Sequence, residues 1–243
     1  MIAADGVVRL GSPLVNWYLV GDDHGVTVVD AGVAGFRPQL EGGLAELGRR
    51  LEDVRAVVLT HAHADHVGVA EILRTELGVP VYVHEADREL ATTAKAVGKN
   101  ERSFLPYLRH PAAWRLLVHL ARNGGMKPRP IADVTTFADG EELDVPGRPV
   151  VLHTPGHTDG HCVLHFRGRA LLVGDLLCTL NPLTGSVGPQ LLPAAFNRSS
   201  AESLRSLSRL DQVDEDVLLP GHGEPWREGP AAAAEAVRRV GPN

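Results

Sequence analysis

Thiols are scarce in this chain. Only Cys162 and Cys178 occur among 243 residues, too few for a disulfide framework and without the paired CxxC spacing of a structural zinc site. Basic residues do not dominate either: 24 Lys and Arg stand against 30 Asp and Glu, a formal charge of -6. There is no global positive field to hold a phosphate backbone, which disfavours nucleic acid as a partner. No apolar run approaches the roughly 18 residues of a membrane span, and the opening MIAADGVVRLG lacks the basic and apolar blocks of a secretory leader. The expectation from these absences is a cytoplasmic protein with no membrane partner.

What is present suits one large domain over 1–243, with 44% hydrophobic residues and no fixed-period repeat or low-complexity linker. LVNWYLV and VTVVDAG read as strands flanking the turn GDDHG, whose Gly and Asp suit a hairpin. FRPQLEGGLAELGRRL has helical spacing, VRAVVLT is a strand, DHVGVAEILRTEL reads as a helix from Asp65, and VPVYVH is again a strand. Residues from about 88 to 130 differ, with a helix AAWRLLVHLARNGG whose apolar face is expected at Trp114, Leu117, Val118 and Ala121. Strands resume with RPVVLHTPG, HCVLHF and ALLVGDLL. Ser199 followed by Glu202 has the pattern of a helix capping box. DVLLPGHGEP is the last strand, before a helix opening at Pro230. Two sets of strands with helices between and after them predict an α/β layered domain.

The densest chemistry follows VRAVVLT, where HAHADH places three histidines and an aspartate in six positions. Period-two geometry puts His61 and His63 on one side of an extended strand end, while Asp65 and His66 leave in another direction as the chain turns. One segment can thus feed two adjacent metal positions. Three further stretches repeat a strand followed by a glycine-rich turn with a ligand-type residue: LHTPGHTDGH with His157 and His161, LLVGDLL with Asp175, and LLPGHGEP with His222. Histidine nitrogen and carboxylate oxygen without thiolates suit zinc first, and also manganese or iron.

With HxHxDH, PGH, GD and a second PGH in this order from about Val15 to Pro225, the chain resembles the metallo-β-lactamase-fold hydrolase superfamily, on its hydroxyacylglutathione hydrolase and lactonase side. The resemblance implies a four-layer αβ/βα sandwich of two mixed β-sheets with a dinuclear site at their edge. It implies His61, His63 and His157 on one divalent ion, Asp65, His66 and His222 on the other, and Asp175 between them. Two such ions lower the pKa of a bridging water and leave hydroxide at neutral pH. Asp65 is then the catalytic carboxylate that orients the hydroxide and carries a proton to the leaving group. The expected activity is cleavage of an ester-like carbonyl, in a thioester, lactone or ester of a small molecule. An aspartate at 175 departs from zinc β-lactamases that carry cysteine there. Cys178 stands where the lactonases place tyrosine, and the segment after Asp175 lacks the GCGR-like stretch of the glutathione thioesterases, so neither named substrate carries over. The alternatives are a mononuclear iron dioxygenase similar to the persulfide dioxygenases, using His61, His157 and Asp175, and a non-catalytic metal-binding module.

Around the ligands, Asp30 reads either as a carboxylate orienting a ligand or as a turn residue, and His161 as a residue behind the ligands, not one of them. His84 reads equally as facing the site or capping a helix. The insert at 88–130 is read as a lid or a homodimer surface, with Tyr107, Arg109 and Trp114 on its substrate side, Cys178 bordering the pocket and Cys162 packed.

Overall fold

The computed structural model describes residues 1–95 and 99–242. Seven strands, β1 (Ile2–Ala4), β2 (Val7–Gly11), β3 (Asn16–Asp22), β4 (Gly25–Val29), β5 (Val54–Val58), β6 (Val81–His84) and β7 (Thr135–Phe137), lie side by side in chain order. The sheet is antiparallel through β4 and parallel from β4 to β7. In the second sheet β8 (Val150–His153), β9 (Cys162–Phe166) and β10 (Ala170–Gly174) run antiparallel. A separate hairpin, β11 (Cys178–Leu180) with β12 (Val187–Gln190), follows, and β13 (Leu218–Pro220) then joins β10 in parallel. The expected hairpin forms with Asp22 opposite Gly25.

Strand alternation generates the layers. On β3, Trp17 and Leu19 face one apolar cluster while Tyr18 and Val20 face another; on β10, Leu171 and Val173 point away from the cluster that holds Ala170 and Leu172. The middle cluster, with Val58 and Phe137 from one sheet and Val151, Leu164 and Leu219 from the other, fills the space between the sheets. The outer face of the first sheet is covered by helices α1 (Leu40–Glu46), α2 (Ala70–Leu77), α3 (Arg88–Thr93) and α4 (Pro111–Arg122) through Leu40, Leu44, Leu73, Ala91, Ala113 and Leu116. On the other side α5 (Ser200–Ser206) leads into the helical turn 207–212, and with α6 (Gly229–Val240) covers the second sheet, where Leu207, Ala233 and Val237 are buried. Three apolar fillings between four layers make the αβ/βα sandwich, with strands buried on both faces as the apolar runs require. Among the described residues no helix is long and apolar enough to cross a membrane.

Local outcomes differ from the sequence reading in three places. The helix expected from Asp65 starts at Ala70. The backbone before it is committed elsewhere: Gly68 N–H donates to Gly32 O at 2.8 Å, Val69 N–H to Ala31 O at 3.0 Å, and Ala31 N–H to His66 O at 2.7 Å. A Cβ on Gly68 would stand 2.4 Å from the backbone of Val33 and Ala34, so this close approach needs glycine. On α4 the buried face is Ala113 and Leu116, whereas Trp114 is 55% and Val118 45% exposed. The capping box is half formed: the Ser199 hydroxyl accepts from Glu202 N–H, but Ser199 N–H donates to Gly156 O at 2.8 Å. The insert consists of α3, a helical turn at Leu105–Arg109 and α4, with residues 96–98 of the sequence-defined range outside the described residues.

Candidate metal centre

All the ligand-type residues sit just beyond the C-terminal ends of strands: 61–66 after β5, His157 after β8, Asp175 after β10 and His222 after β13. Their side-chain atoms converge in three overlapping groups, His61/His63/His157, His61/His66/Asp175 and Asp65/His66/His222, each with its atoms within 4.8 Å of one another. Asp175 is the hub. Its Oδ2 lies 3.2 Å from His222 Nε2, 3.3 Å from His157 Nε2 and 3.9 Å from His61 Nε2, and its Oδ1 lies 3.6 Å from His66 Nε2. His63 Nδ1 and His157 Nε2 approach to 2.8 Å, and Asp65 reaches His222 Nε2 at 3.6 Å. His61, His66, His157, Asp175 and His222 are at most 3% exposed, while the Asp65 side chain keeps 21% exposure. A Cβ on Gly221 would fall 2.2 Å from Asp175 Oδ1, so glycine lets the His222 loop close on the cluster.

The far side of nearly every ring is held. His66 Nδ1–H donates to Asp30 Oδ2 at 2.9 Å, His157 Nδ1–H to Asn197 Oδ1 at 2.9 Å, and His222 Nδ1–H to Leu14 O. Thr60 Oγ1 contacts both Asp30 oxygens and His61 Nδ1 at 3.1 Å. With the hydroxyl proton given to the carboxylate, the oxygen accepts from His61 Nδ1–H. These bonds fix tautomers that turn the Nε2 lone pairs of His61, His66, His157 and His222 inward. Asp30 thus holds His66 directly and His61 through Thr60. Inside the ring of donors, His61 Nε2, His66 Nε2 and Asp175 Oδ1 are buried with no hydrogen-bond partner. Orphaned atoms of this kind are costly, and bound cations would give each of the three a partner. The residues therefore fit divalent metal, and the donor set, imidazole and carboxylate without thiolate, is one for zinc, manganese or iron.

Electrostatics follow from the same packing. Burial drives the imidazoles of His61 and His157 well below the usual histidine range, and His63 below it. At His66 and His222 burial acts in that direction too, but Asp175, with Asp30 and Asp65 at His66, outweighs it and raises both. Burial works to raise Asp175, yet the positive charge of His222 and His66 holds it well below the usual carboxylate range.

His161 lies beside the cluster but has no free lone pair to offer. Its Nε2 accepts from Asp175 N–H at 2.9 Å and its Nδ1–H donates to Thr154 Oγ1 at 2.9 Å; burial lowers its pKa to about 3, so it stays neutral and positions Asp175 through the backbone. His84 is a cap: its Nδ1 accepts from Ala86 N–H at 3.2 Å and its ring stacks on His153. Thr60, Asn197 and Leu14 O, which hold rings of the cluster, escape the sequence reading because nothing local marks them. Asp87 escapes it as well. This buried carboxylate accepts from Ala62 N–H at 3.0 Å and Thr158 Oγ1–H at 2.8 Å on one oxygen and from Gly160 N–H at 2.8 Å on the other, joining the loops of His61/His63 and His157. Asp87→Ala strands two backbone N–H groups, about 1–3 kcal/mol each. Displacement of both ligand loops should also weaken metal binding about 10–100-fold. Chelator competition and the thermal midpoint measure the two effects separately.

The remaining sequence candidates lie outside the cluster. Tyr107 and Arg109 line a cavity of about 650 Å³. Trp114 faces a different depression with Ser12, Leu14 and His119, its indole N–H donating to Leu108 O at 2.8 Å. Cys178 is fully buried with Sγ 3.9 Å from Leu191 O; Cys162 is packed between the sheets.

A four-layer αβ/βα sandwich with a buried His/Asp cluster at its strand ends defines a metal-binding protein of the metallo-β-lactamase fold. Sequence comparison agrees: the profile of the metallo-beta-lactamase superfamily matches residues 11–222, and the chain belongs to that superfamily. It is 30% identical over 242 residues to the Bacillus subtilis probable metallo-hydrolase YflN, covering 92% of this chain and 86% of that one. Among solved structures, the metallo-beta-lactamase family protein TTHA1429 from Thermus thermophilus is 31% identical with a TM-score of 0.68, covering 97% of this chain and 79% of its own. The metallo-beta-lactamase GOB-18 from Elizabethkingia meningoseptica, at 17% identity and TM-score 0.66 over 99% of this chain and 89% of its own, shares the fold alone.

Proposed function

We propose that the protein is a metal-dependent hydrolase that cleaves an ester-like carbonyl, in a thioester, lactone or ester of a small molecule. His61, His63 and His157 would hold one divalent ion, zinc by first preference, and Asp65, His66 and His222 a second, with Asp175 shared. The observation that carries this reading is the trio of buried, partnerless atoms, His61 Nε2, His66 Nε2 and Asp175 Oδ1, at the centre of rings fixed from outside. Ions bound there supply Lewis acidity and a water acidified enough to attack a carbonyl at neutral pH. The protein's own groups do the rest. Asp30, Thr60, Asn197 and Leu14 O hold the rings, so no reorganisation is needed during reaction. Asp65, the exposed member of the cluster, is placed to orient a nucleophilic water and to carry its proton to the departing alkoxide or thiolate.

The test is turnover of an ester, thioester and lactone panel by protein loaded with zinc, manganese or iron, with oxygen uptake recorded in parallel. Hydrolysis without oxygen uptake is expected, and Asp65→Ala should lower it about 10²–10⁴-fold, the range for losing a positioned proton carrier. Full turnover by that variant would remove Asp65 from the chemistry. A second reading has its own observation: His61, His157 and Asp175 already form a two-histidine, one-carboxylate set, Asp175 lying 3.9 and 3.3 Å from the two rings, a donor set of non-haem iron oxygenases. Oxygen uptake with iron and no hydrolysis of any panel member would favour it.

A further inference from the structure

The cavity beside the insert differs in charge from the molecule around it. Its lining is Arg102, Ser103, Pro106, Tyr107, Arg109 and His110 with Thr184 opposite: two guanidiniums and an imidazole, no carboxylate, in a chain of formal charge -6. Some arginines elsewhere are paired with acids, such as Arg37 with Glu41 and Glu76, Arg148 with Glu142, and Arg198 with Asp159, and others, such as Arg49 and Arg169, spend their guanidinium on backbone carbonyls. Arg102 and Arg109 make no ion pair among the described residues. The carboxylate next in sequence, Glu101, is turned away and accepts from Ser200 N–H at 2.7 Å. Among the described residues Arg109 spends only its Nε–H, on His110 Nε2 at 3.2 Å, which leaves the planar fork of Nη donors unassigned. Pro106 and Tyr107 add apolar surface to the same wall.

The walls are tied to the metal centre. Arg102 N–H donates to Ala194 O at 3.2 Å and Glu101 N–H to Asn197 O at 2.8 Å; the side chain of Asn197 is the one that holds His157. Thr184 stands on the β11–β12 connection, and β11 is anchored where Thr179 N–H donates to His222 O at 3.1 Å. Guanidinium groups in fork geometry match carboxylate and phosphate oxygens and give the stronger, charge-assisted kind of hydrogen bond.

We propose that this cavity binds an anionic group, a carboxylate or a phosphate, at the non-reacting end of the substrate. The proposal rests on the hydrolase reading for the reaction but on the arginines alone for the binding. Placing a charge there orients the carbonyl end toward the cluster and gives selectivity for acidic esters and thioesters over neutral ones.

The experiment compares three substrates with metal-loaded protein: mono-4-nitrophenyl glutarate, its terminal amide, and an ester of equal length ending in phosphate. It is repeated with the double variant Arg102→Gln, Arg109→Gln, whose exposed side chains leave the core untouched. The wild type should prefer at least one acidic ester over the amide about 10–100-fold in kcat/KM, mostly through KM, and the variant should lose that preference while handling the amide as before. Which anion gains more identifies the source. Equal use of acidic and neutral esters by the wild type, or a preference that survives in the variant, overturns the proposal and leaves the hydrolase reading standing. If no ester is hydrolysed, that reading fails on its own, and calorimetric titration with glutarate and with propyl phosphate decides the cavity. Binding of either anion that weakens about tenfold in the double variant supports the site; equal binding by both proteins, or none by the wild type, overturns it.

Discussion

Asp175→Asn should yield a folded protein that binds divalent ions at least about 100-fold more weakly and hydrolyses its substrate at least about 10⁴-fold more slowly, because the acidified water that the ions supply is lost with them. The asparagine has nearly the volume of the aspartate and leaves the backbone bond from N–H of residue 175 to His161 Nε2 intact. Its amide can also donate to imidazole lone pairs now facing Asp175, at 3.2 Å from His222 Nε2 and 3.3 Å from His157 Nε2. What disappears is the negative charge that touches the rings of His61, His66, His157 and His222 together. Every candidate ion position includes one of those rings, so the loss reaches all of them, whereas a substitution at His63 removes a donor from one group only. Chelator competition reads the affinity, and circular dichroism with the thermal midpoint reads the fold. Undiminished ion binding in this variant would mean that the cluster is an imidazole packing arrangement with a carboxylate beside it.

The reach of the sequence follows from how far each constraint extends along the chain. HAHADH is visible because strand period places His61 and His63 together within three residues, and the layered class is visible because runs such as VRAVV and ALLVG are apolar enough to be buried on both sides. Three-residue strands β1, β7 and β11 show no period and stay invisible. The start of α2 falls later than its pattern suggests because Gly68 and Val69 bond to Gly32 and Ala31, a tertiary pairing that overrides a helical pattern. On α4 the amphipathic pattern offers two stripes, and it is Ala113 and Leu116 that join the core cluster, while the stripe with Trp114 faces out. The ligand candidates are legible, and the structure brings all seven together. The groups that aim them are not, because Asp87 acts on Ala62 and Gly160, 25 and 73 residues away, and Leu14 on His222, 208 residues away.

Removing the metal should destabilise the protein, and by more as pH rises. An ion bound only by the folded chain stabilises it by about 4 kcal/mol at a thousand times its Kd. At about 2–4 °C per kcal/mol for a chain of this size, chelation should therefore lower the thermal midpoint by about 10 °C. The sign of the pH effect follows from the cluster. In the metal-free fold, the carboxylates around His66 and His222 raise both imidazoles against the opposing effect of burial. Their contribution to stability is full below the unfolded histidine value of about 6.5 and is lost as pH climbs through the raised folded values. Asp175, depressed by the same histidines although burial opposes this, contributes above the unfolded aspartate value of about 3.9 and loses that contribution only as pH falls through its lower folded value. The depressed imidazoles of His61, His63 and His157 disfavour the fold below about pH 6.5 and cease to do so above it, whereas His66 and His222 hold the metal-free protein best in mildly acidic solution and less well above neutrality. Metal moves the other way, since ion and proton compete for the same nitrogen lone pairs and deprotonated ligands bind more tightly. Because the ion displaces the protons that His66 and His222 hold in the metal-free fold, the gap between loaded and chelated midpoints should widen from about pH 6 to about pH 8.5, and binding at the lower pH should release protons, seen as a dependence of the calorimetric enthalpy on buffer. A chelator that leaves the midpoint in place, or a gap that closes with rising pH, would show that these rings are neutralised by one another and not by a cation.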